Sequence, residues 1–227
     1  MKTRLGKRLK ALFDAIPPGY DTVWDLCCDH GRLGLALLES QRTGTVHFID
    51  QVASIMDDLQ VRLERYGATG YQVQTIAAER LALPPDERAL LVLAGVGDEV
   101  TLAIVNALSA QNPDCPPDWL ISPANSLFQV RRGLQQQGFG LLEEGVVFEN
   151  GRGYEWMRVC QDRHRAPIAV SNPASFWNAQ LPEHRAHLQK LVRHARQQQH
   201  NPNQQDAGPM LALYEPLLTE RLQSPEA

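Results

Sequence analysis

The stretch Thr22-Val23-Trp24-Asp25-Leu26-Cys27-Cys28-Asp29-His30-Gly31 decides how the rest of the chain is read. Its first half is a short apolar run of β-formers. Its second half is small and polar, and the helical pattern Leu33-Gly34-Leu35-Ala36-Leu37-Leu38 follows at once. Strand, tight turn and helix in that order open a βα unit, and in an open α/β sheet ligands lie outside the carboxyl ends of the strands.

The alternation continues outward from this unit. Thr45 to Asp50 and Tyr71 to Ala77 read as strands, and Val52 to Tyr66 as a helix with Ile55, Leu59 and Leu63 at four-residue spacing. Ala89 to Ala94 is wholly apolar, as a central strand covered on both faces requires. A helix from Glu99 to Ala110, a strand from Trp119 to Ser122 and a helix from Leu127 to Gln137 complete five expected βα units. Leu141 to Glu149 and Tyr154 to Cys160 then flank Asn150-Gly151, a hairpin signal. The expected class is therefore α/β, mostly parallel with an antiparallel C-terminal hairpin. Beyond it, Asn172-Pro173 reads as a cap, Phe176 to Gln199 as a long helix, Asn201 to Gly208 as a linker and Pro209 to Leu222 as a shorter helix. Two domains are expected: 1–161, and a small helical extension over 162–227.

Bulk properties narrow the classes. With 227 residues, 43% hydrophobic and 21% charged, the chain can bury an ordinary core. A net charge of -4 argues against a protein that coats nucleic acid, while leaving room for a local basic face. Residues 1 to 10 lack the apolar core of a signal peptide, and no apolar run approaches a membrane span. Cys27, Cys28, Cys115 and Cys160 show neither zinc spacing nor a disulfide framework, so a reducing, cytoplasmic setting is expected and no metal.

Candidate ligand residues sit at the strand ends. In the first turn the acid is Asp25, followed by Cys27, Asp29 and Gly31 at alternating positions where nucleotide-binding turns use glycine. His30 lies between them and reads first as a residue supporting the turn. Asp50, with Gln51, stands where a carboxylate would take both ribose hydroxyls, or equally would cap the next helix. Glu79 follows the third strand, near an adenine amino group or as a solvated helix-start residue. Ala94-Gly95-Val96-Gly97-Asp98 and Ser122-Pro123-Ala124-Asn125 end the fourth and fifth strands, with glycines that permit close approach. Cys27 and Cys28 read as packing residues, and Trp119, Trp156 and Phe148 as core.

Taken together, these segments resemble the bacterial tRNA (adenine-22-N1)-methyltransferases over roughly residues 3 to 160. Leu5-Gly6-Lys7-Arg8-Leu9 and Ile16-Pro17 resemble the family's opening Leu-Ser-x-Arg-Leu and Ile-Pro. Asp25-Leu26-Cys27-Cys28-Asp29-His30 resembles its Asp-Ile-Gly-x-Asp-His, and Ala94-Gly95-Val96-Gly97 its Ala-Gly-Met-Gly-Gly. Val130-Arg131 with Leu134, Glu143-Glu144 and Gly153-Tyr154-Glu155 resemble its last helix and hairpin. Three departures stand out: Cys27 for a glycine, Asp98 for the last glycine of Gly-x-Gly-Gly, and Ser122-Pro123-Ala124 for Gln-Pro-Asn, with Asn125 displaced by one.

The resemblance implies a Rossmann-like class I methyltransferase using S-adenosylmethionine and acting on N1 of an adenine in tRNA. Its cofactor contacts would be Asp25, Cys27, Asp29, His30, Gly31, Asp50, Gln51, Glu79, Ala94 and Gly95. Catalytic contacts would be Asp29, which could hold the cofactor's ammonium or the charge formed on the base, with Ser122 and Asn125 on the base edge. Another RNA, a protein or a small molecule as acceptor, and a fold retained without turnover, are the competing readings. For tRNA, the expected positive surface is Lys2, Arg4, Lys7, Arg8 and Lys10, then Arg163, Arg165, Arg185, Lys190, Arg193 and Arg196 with His164, His184, His187, His194 and His200. A solvated amphipathic face is the competing account of these charges. A monomer is expected.

Overall fold

The computed structural model describes residues 3–85, 87–113, 116–162, 165, 168–170, 176–199 and 207–219. Expectations for Lys2, Cys115, Arg163, His164, His200, Asn172-Pro173, the 201–206 linker and Leu222 lie outside them.

The chain divides into two compact units, one of residues 1–147 and 154–170, the other of 148–153 and 171–227. In the first, α1 (Lys7–Asp14) precedes β1 (Thr22–Leu26), α2 (Arg32–Ser40), β2 (Thr45–Asp50), α3 (Ala53–Arg65) and β3 (Tyr71–Thr75). There follow β4 (Ala89–Ala94), α4 (Asp98–Gln111), β5 (Asp118–Ser122), α5 (Phe128–Gln136), β6 (Gly140–Glu149), β7 (Arg152–Cys160) and the two-residue β8 (Ile168–Ala169). The sheet runs in the order β3-β2-β1-β4-β5-β7-β6-β8. β1 to β5 are parallel, and β7 inserts antiparallel against β5. This is the expected Rossmann-like sheet with its reversed strand. Chain order changes direction between β1 and β4, which places the crevice at their carboxyl ends.

Two apolar layers cover the sheet. Trp24, Leu91, Leu93, Trp119, Ile121 and Met157 face α4 and α5 residues such as Val105 and Leu134. Val23, Phe48, Leu90, Val92 and Leu120 face Leu12, Leu37, Met56 and Leu59 from α1 to α3. Each such side chain contributes about 1.5–3 kcal/mol when fully buried. Gly34 is a packing requirement: a Cβ there would lie 2.2 Å from the Phe48 ring, so α2 rests directly on β2. Far from the crevice, the buried Asp118 accepts from the Tyr20 hydroxyl at 2.6 Å and from Arg165 at 3.0 and 2.6 Å. Burial and that carboxylate push the Tyr20 hydroxyl up to about 12. Arg165 is itself exposed while its guanidinium binds this internal acid.

Three expectations need correction, and the structure adds one element, the N-terminal helix. The third crossover is not a βα unit: a single 3-10 turn, Ala78–Arg80, replaces the helix, because Pro84 and Pro85 remove two backbone donors and bar helical φ/ψ before them. The N-terminal segment is helical, its Leu12 buried. The long C-terminal helix, α6 (Pro182–Gln198), starts six residues late, since Pro182 holds Leu181 extended at φ -79, ψ 125. Ahead of it, Asn178 Oδ1 accepts from Gln180 N at 2.9 Å in a side-chain turn. Phe148 is outside the sheet core. It adjoins the hairpin turn, in the second unit, with its ring 4.9 Å from that of His184.

In that second unit α6 buries Leu188, Leu191, Val192 and Ala195, and α7 (Ala207–Thr219) buries Met210, Leu211 and Tyr214. Arg196 bonds Glu215 at 2.9 and 2.7 Å across the pair. Arg185, Lys190 and Arg193 are exposed. Among the described residues no helix is long and apolar enough to cross a membrane.

Candidate active site

The first turn keeps the backbone of a glycine-rich loop while using one glycine. Cys27, Asp29 and Gly31 have φ of 53°, 49° and 61°, left-handed at each alternating position. A left-handed residue with a Cβ costs roughly 1–2 kcal/mol, so neighbours must impose the shape. Cys28 N donates to Ile49 O at 3.0 Å, Gly31 N to Cys28 O at 2.8 Å and Asp29 N to Asp50 Oδ2 at 3.3 Å. At Gly31 a Cβ would also strike Leu59 at 2.8 Å.

Asp50 ends β2 and ties this turn to the next helix, since its Oδ1 accepts from Val52 N at 3.0 Å. Asp25 has a different post. It is 7% exposed, and its carboxylate accepts from Gly34 N at 3.1 Å, satisfying an open donor in the first turn of α2. Burial first, and the charge of Asp50 second, raise its pKa to about 7. Asp29 and His30 are exposed, with His30 Nε2 3.7 Å from Asp29 Oδ1, and Arg62 donates to the His30 carbonyl at 2.8 Å. Gln51 is exposed beside Asp50, and Glu79 is half-buried in the 3-10 turn.

Cys27 gathers these acids. Burial pushes its thiol up to about 11, with Asp50, Glu79 and Asp25 adding to the rise. The Cys28 thiol is raised too, by burial and then by Asp25 and Asp50, and lies 3.8 Å from Met56 Sδ. Both stay protonated near neutrality, as packing residues do. Among the described residues no cluster of three His, Cys, Asp or Glu is placed to hold a metal ion.

Across the crevice, the ends of β4 and β5 are joined by Gly95 N to Ser122 O at 2.9 Å and Ala124 N to Val96 O at 2.7 Å. Ala94 is half-buried and Gly95 exposed with φ 93°. Ser122 is 1% exposed, and Arg8 stands over it, Nη2 2.7 Å from its carbonyl and 3.5 Å from its hydroxyl. The guanidinium also lies 4.7 Å from the centre of the Tyr154 ring. Asn125 is exposed and donates to Asp98 Oδ1 at 3.0 Å. Arg8 and Asp98 were not among the site residues expected from sequence. Arg8 was one of five basic residues with nothing to single it out, and Asp98 stood only as a lost glycine.

No curated protein sequence matches the chain. Solved structures do, over nearly its whole length. The B. subtilis m1A22 tRNA methyltransferase TrmK superposes with a TM-score of 0.74 at 16% identity, covering 96% of this chain and 100% of that one. M. capricolum TrmK, solved in complex with S-adenosyl-homocysteine, gives 0.71 at 14% identity, covering 95% and 96%. Magnesium protoporphyrin IX methyltransferase from Synechocystis, with bound SAM, gives 0.53 at 16% identity over 68% and 76%. At these identities the likeness shows the fold. Residues 5–157 match the methyltransferase domain family. That match runs from the helix bearing Arg8 through both sides of the crevice, and the chain belongs to the methyltransferase domain family.

Proposed function

We propose that this chain transfers a methyl group from S-adenosylmethionine to N1 of an adenine in tRNA. The observation that carries the reading is the first turn: three alternating left-handed residues, two of them not glycine, held in place by β2 and Asp50. A fold with no use for that turn would have no reason to retain its strain. The tRNA acceptor is supported by the full-length likeness to two proteins named for tRNA methylation or as TrmK.

The residues present fit this cofactor. Asp29, an exposed carboxylate with His30 beside it, would hold the ammonium, and Gly31 and Cys27 would supply backbone at the same turn. Asp50, at the end of β2, and Gln51 would take the ribose hydroxyls, and Glu79, in the 3-10 turn, would accept from the adenine amine. Ala94 and Gly95 border the acceptor side, and Asp25 acts by holding α2 against the turn. S-adenosylmethionine supplies, when bound, a methyl group on a positively charged sulfur, and the hard chemistry is its own. The protein's task is to align the two reactants, which can supply much of the rate. Neutral Cys27 and Cys28 offer no thiolate to intercept the methyl. Arg8 and Asn125 would border the acceptor, while the expected contact from Ser122 is blocked by burial beneath Arg8. In the second unit, the exposed Arg185, Lys190 and Arg193 would serve phosphates.

The test is incubation of the purified chain with bulk tRNA and methyl-labelled cofactor, followed by nucleoside analysis. Labelled 1-methyladenosine is the expected product. Cofactor binding by calorimetry with no label in tRNA would leave a methyltransferase with another acceptor. Absence of cofactor binding would end the reading.

A further inference from the structure

Two of the departures from the family pattern touch one another. Asp98 stands where the resemblance has glycine, and Asn125 is displaced by one position from the expected asparagine. In the fold their side chains meet, Asn125 Nδ2 to Asp98 Oδ1 at 3.0 Å, and the same Oδ1 takes Glu99 N at 3.0 Å. The pair thus spends one amide N–H and one carboxylate oxygen internally. Asp98 Oδ2 and Asn125 Oδ1 are left as acceptors, the first of them carrying charge, beside the second N–H of the Asn125 amide. Asp98 opens α4 and Asn125 lies on the loop after β5, and the segments leading to them are bonded through Ala124 N and Val96 O.

We propose that Asp98 and Asn125 read an exocyclic amine on the base that receives the methyl. This deepens, and rests on, the reading of the chain as an adenine N1-methyltransferase. In adenine the amine adjoins N1, so the remaining carboxylate oxygen of Asp98, with Asn125 Oδ1 beside it, is complementary to that amine. Guanine presents a carbonyl oxygen there, and the charged oxygen of Asp98 facing a carbonyl repels it. A base drawn from the stack is ordinarily recognised by hydrogen bonds to this same edge. A site built to bond an amine discriminates sharply against an analogue lacking it, because its polar groups are then left unpaired. A glycine at position 98 supplies no such group, so this chain would choose its base by a contact that the family's own pattern lacks.

The experiment uses the full chain and two tRNA transcripts, one with adenine and one with purine (hydrogen in place of the amine) at the methylated position. Equilibrium binding is measured without cofactor by fluorescence anisotropy. The wild type is expected to prefer adenine by about tenfold, the scale of one hydrogen bond to a charged group. Asp98→Gly should bring the preference close to one, and Asn125→Ala should lower it by a smaller factor. The double variant should lose no more than Asp98→Gly alone. Cofactor affinity, measured in parallel, should stay within twofold in each variant, which separates a reading defect from a folding defect. A wild type that methylates tRNA adenine yet binds both transcripts equally overturns the proposal alone. So does an Asp98→Gly chain that keeps the preference. A wild type that methylates no adenine in tRNA overturns the underlying reading, and the proposal with it.

Discussion

Replacing Asp25 by asparagine should convert a pH-dependent protein into a less dependent one. The carboxyl is 7% exposed and has one hydrogen bond, from Gly34 N at 3.1 Å, which an amide oxygen can also accept. Its pKa rises from 3.8 to about 7 on folding. Between those values the folded state holds a proton that the unfolded chain has released. Stability contributed by this group therefore falls as pH rises through the window, and levels off above pH 7. At 1.36 kcal/mol per unit, the full penalty is about 4 kcal/mol, of which about 2–3 kcal/mol accrues between pH 5 and pH 8. Urea unfolding of both proteins across that range gives the difference directly and cancels every other titrating group. Asp25→Asn is expected to gain on the wild type steadily with pH, overtaking it before pH 8. A difference that does not vary with pH, or one that turns against the asparagine as pH rises, would refute the argument that burial dominates at this position.

Three further outcomes follow from geometry. Cys27→Gly relieves a left-handed residue that costs roughly 1–2 kcal/mol, offset by about 0.5–1 kcal/mol of glycine's unfolded-state freedom. A net gain of about 0.5–1 kcal/mol is expected, read as a rise in Tm of about 2 °C. Arg8→Ala should lower kcat/KM for tRNA more than about tenfold with cofactor affinity unchanged in calorimetry, and Arg8→Lys should not restore it, because lysine cannot span Ser122 and stack on Tyr154 in one planar group. Glu144→Gln strands the guanidinium of Arg131, its partner in an ion pair whose side chains are 3% and 6% exposed. A loss of about 3 kcal/mol in denaturant unfolding is expected.

The parts of the fold that were legible in the sequence are those where a short pattern is sufficient. Five parallel strands and the hairpin announce themselves because apolar runs such as Ala89–Ala94 have no other place to go, and Asn150-Gly151 suits few conformations besides a tight turn. The α1 helix was obscured, since it is only eight residues long and three of them, Lys7, Arg8 and Lys10, are basic, which leaves a short apolar stripe of Leu9, Leu12 and Phe13. The missing third crossover helix was recoverable from Pro84-Pro85, a local signal outweighed by the regular rhythm on either side. The site divides the same way. Asp25, Asp29, Asp50 and Glu79 can be placed from strand ends alone, and the charges of all but Asp29 act on the Cys27 thiol. That Asp25 turns inward to a helix amide, that Ser122 is covered by Arg8, and that Asp98 meets Asn125 depend on how separate segments meet. Arg8 and Ser122 are 114 positions apart, and no window of sequence spans such a contact.

One edge of the sheet is β3, whose Tyr71-Gln72-Val73-Gln74-Thr75 carries no charge and no proline. Proteins ordinarily guard such a rim with lysine, a bulge or a covering helix, because its unpaired amides can recruit a strand from another molecule. The crossover that leaves β3 brings only one turn of 3-10 helix in place of the usual cladding. At high concentration, or after partial unfolding, self-association of this protein would begin at that rim, and a lysine in place of the exposed Gln72 is the smallest change that would shield it.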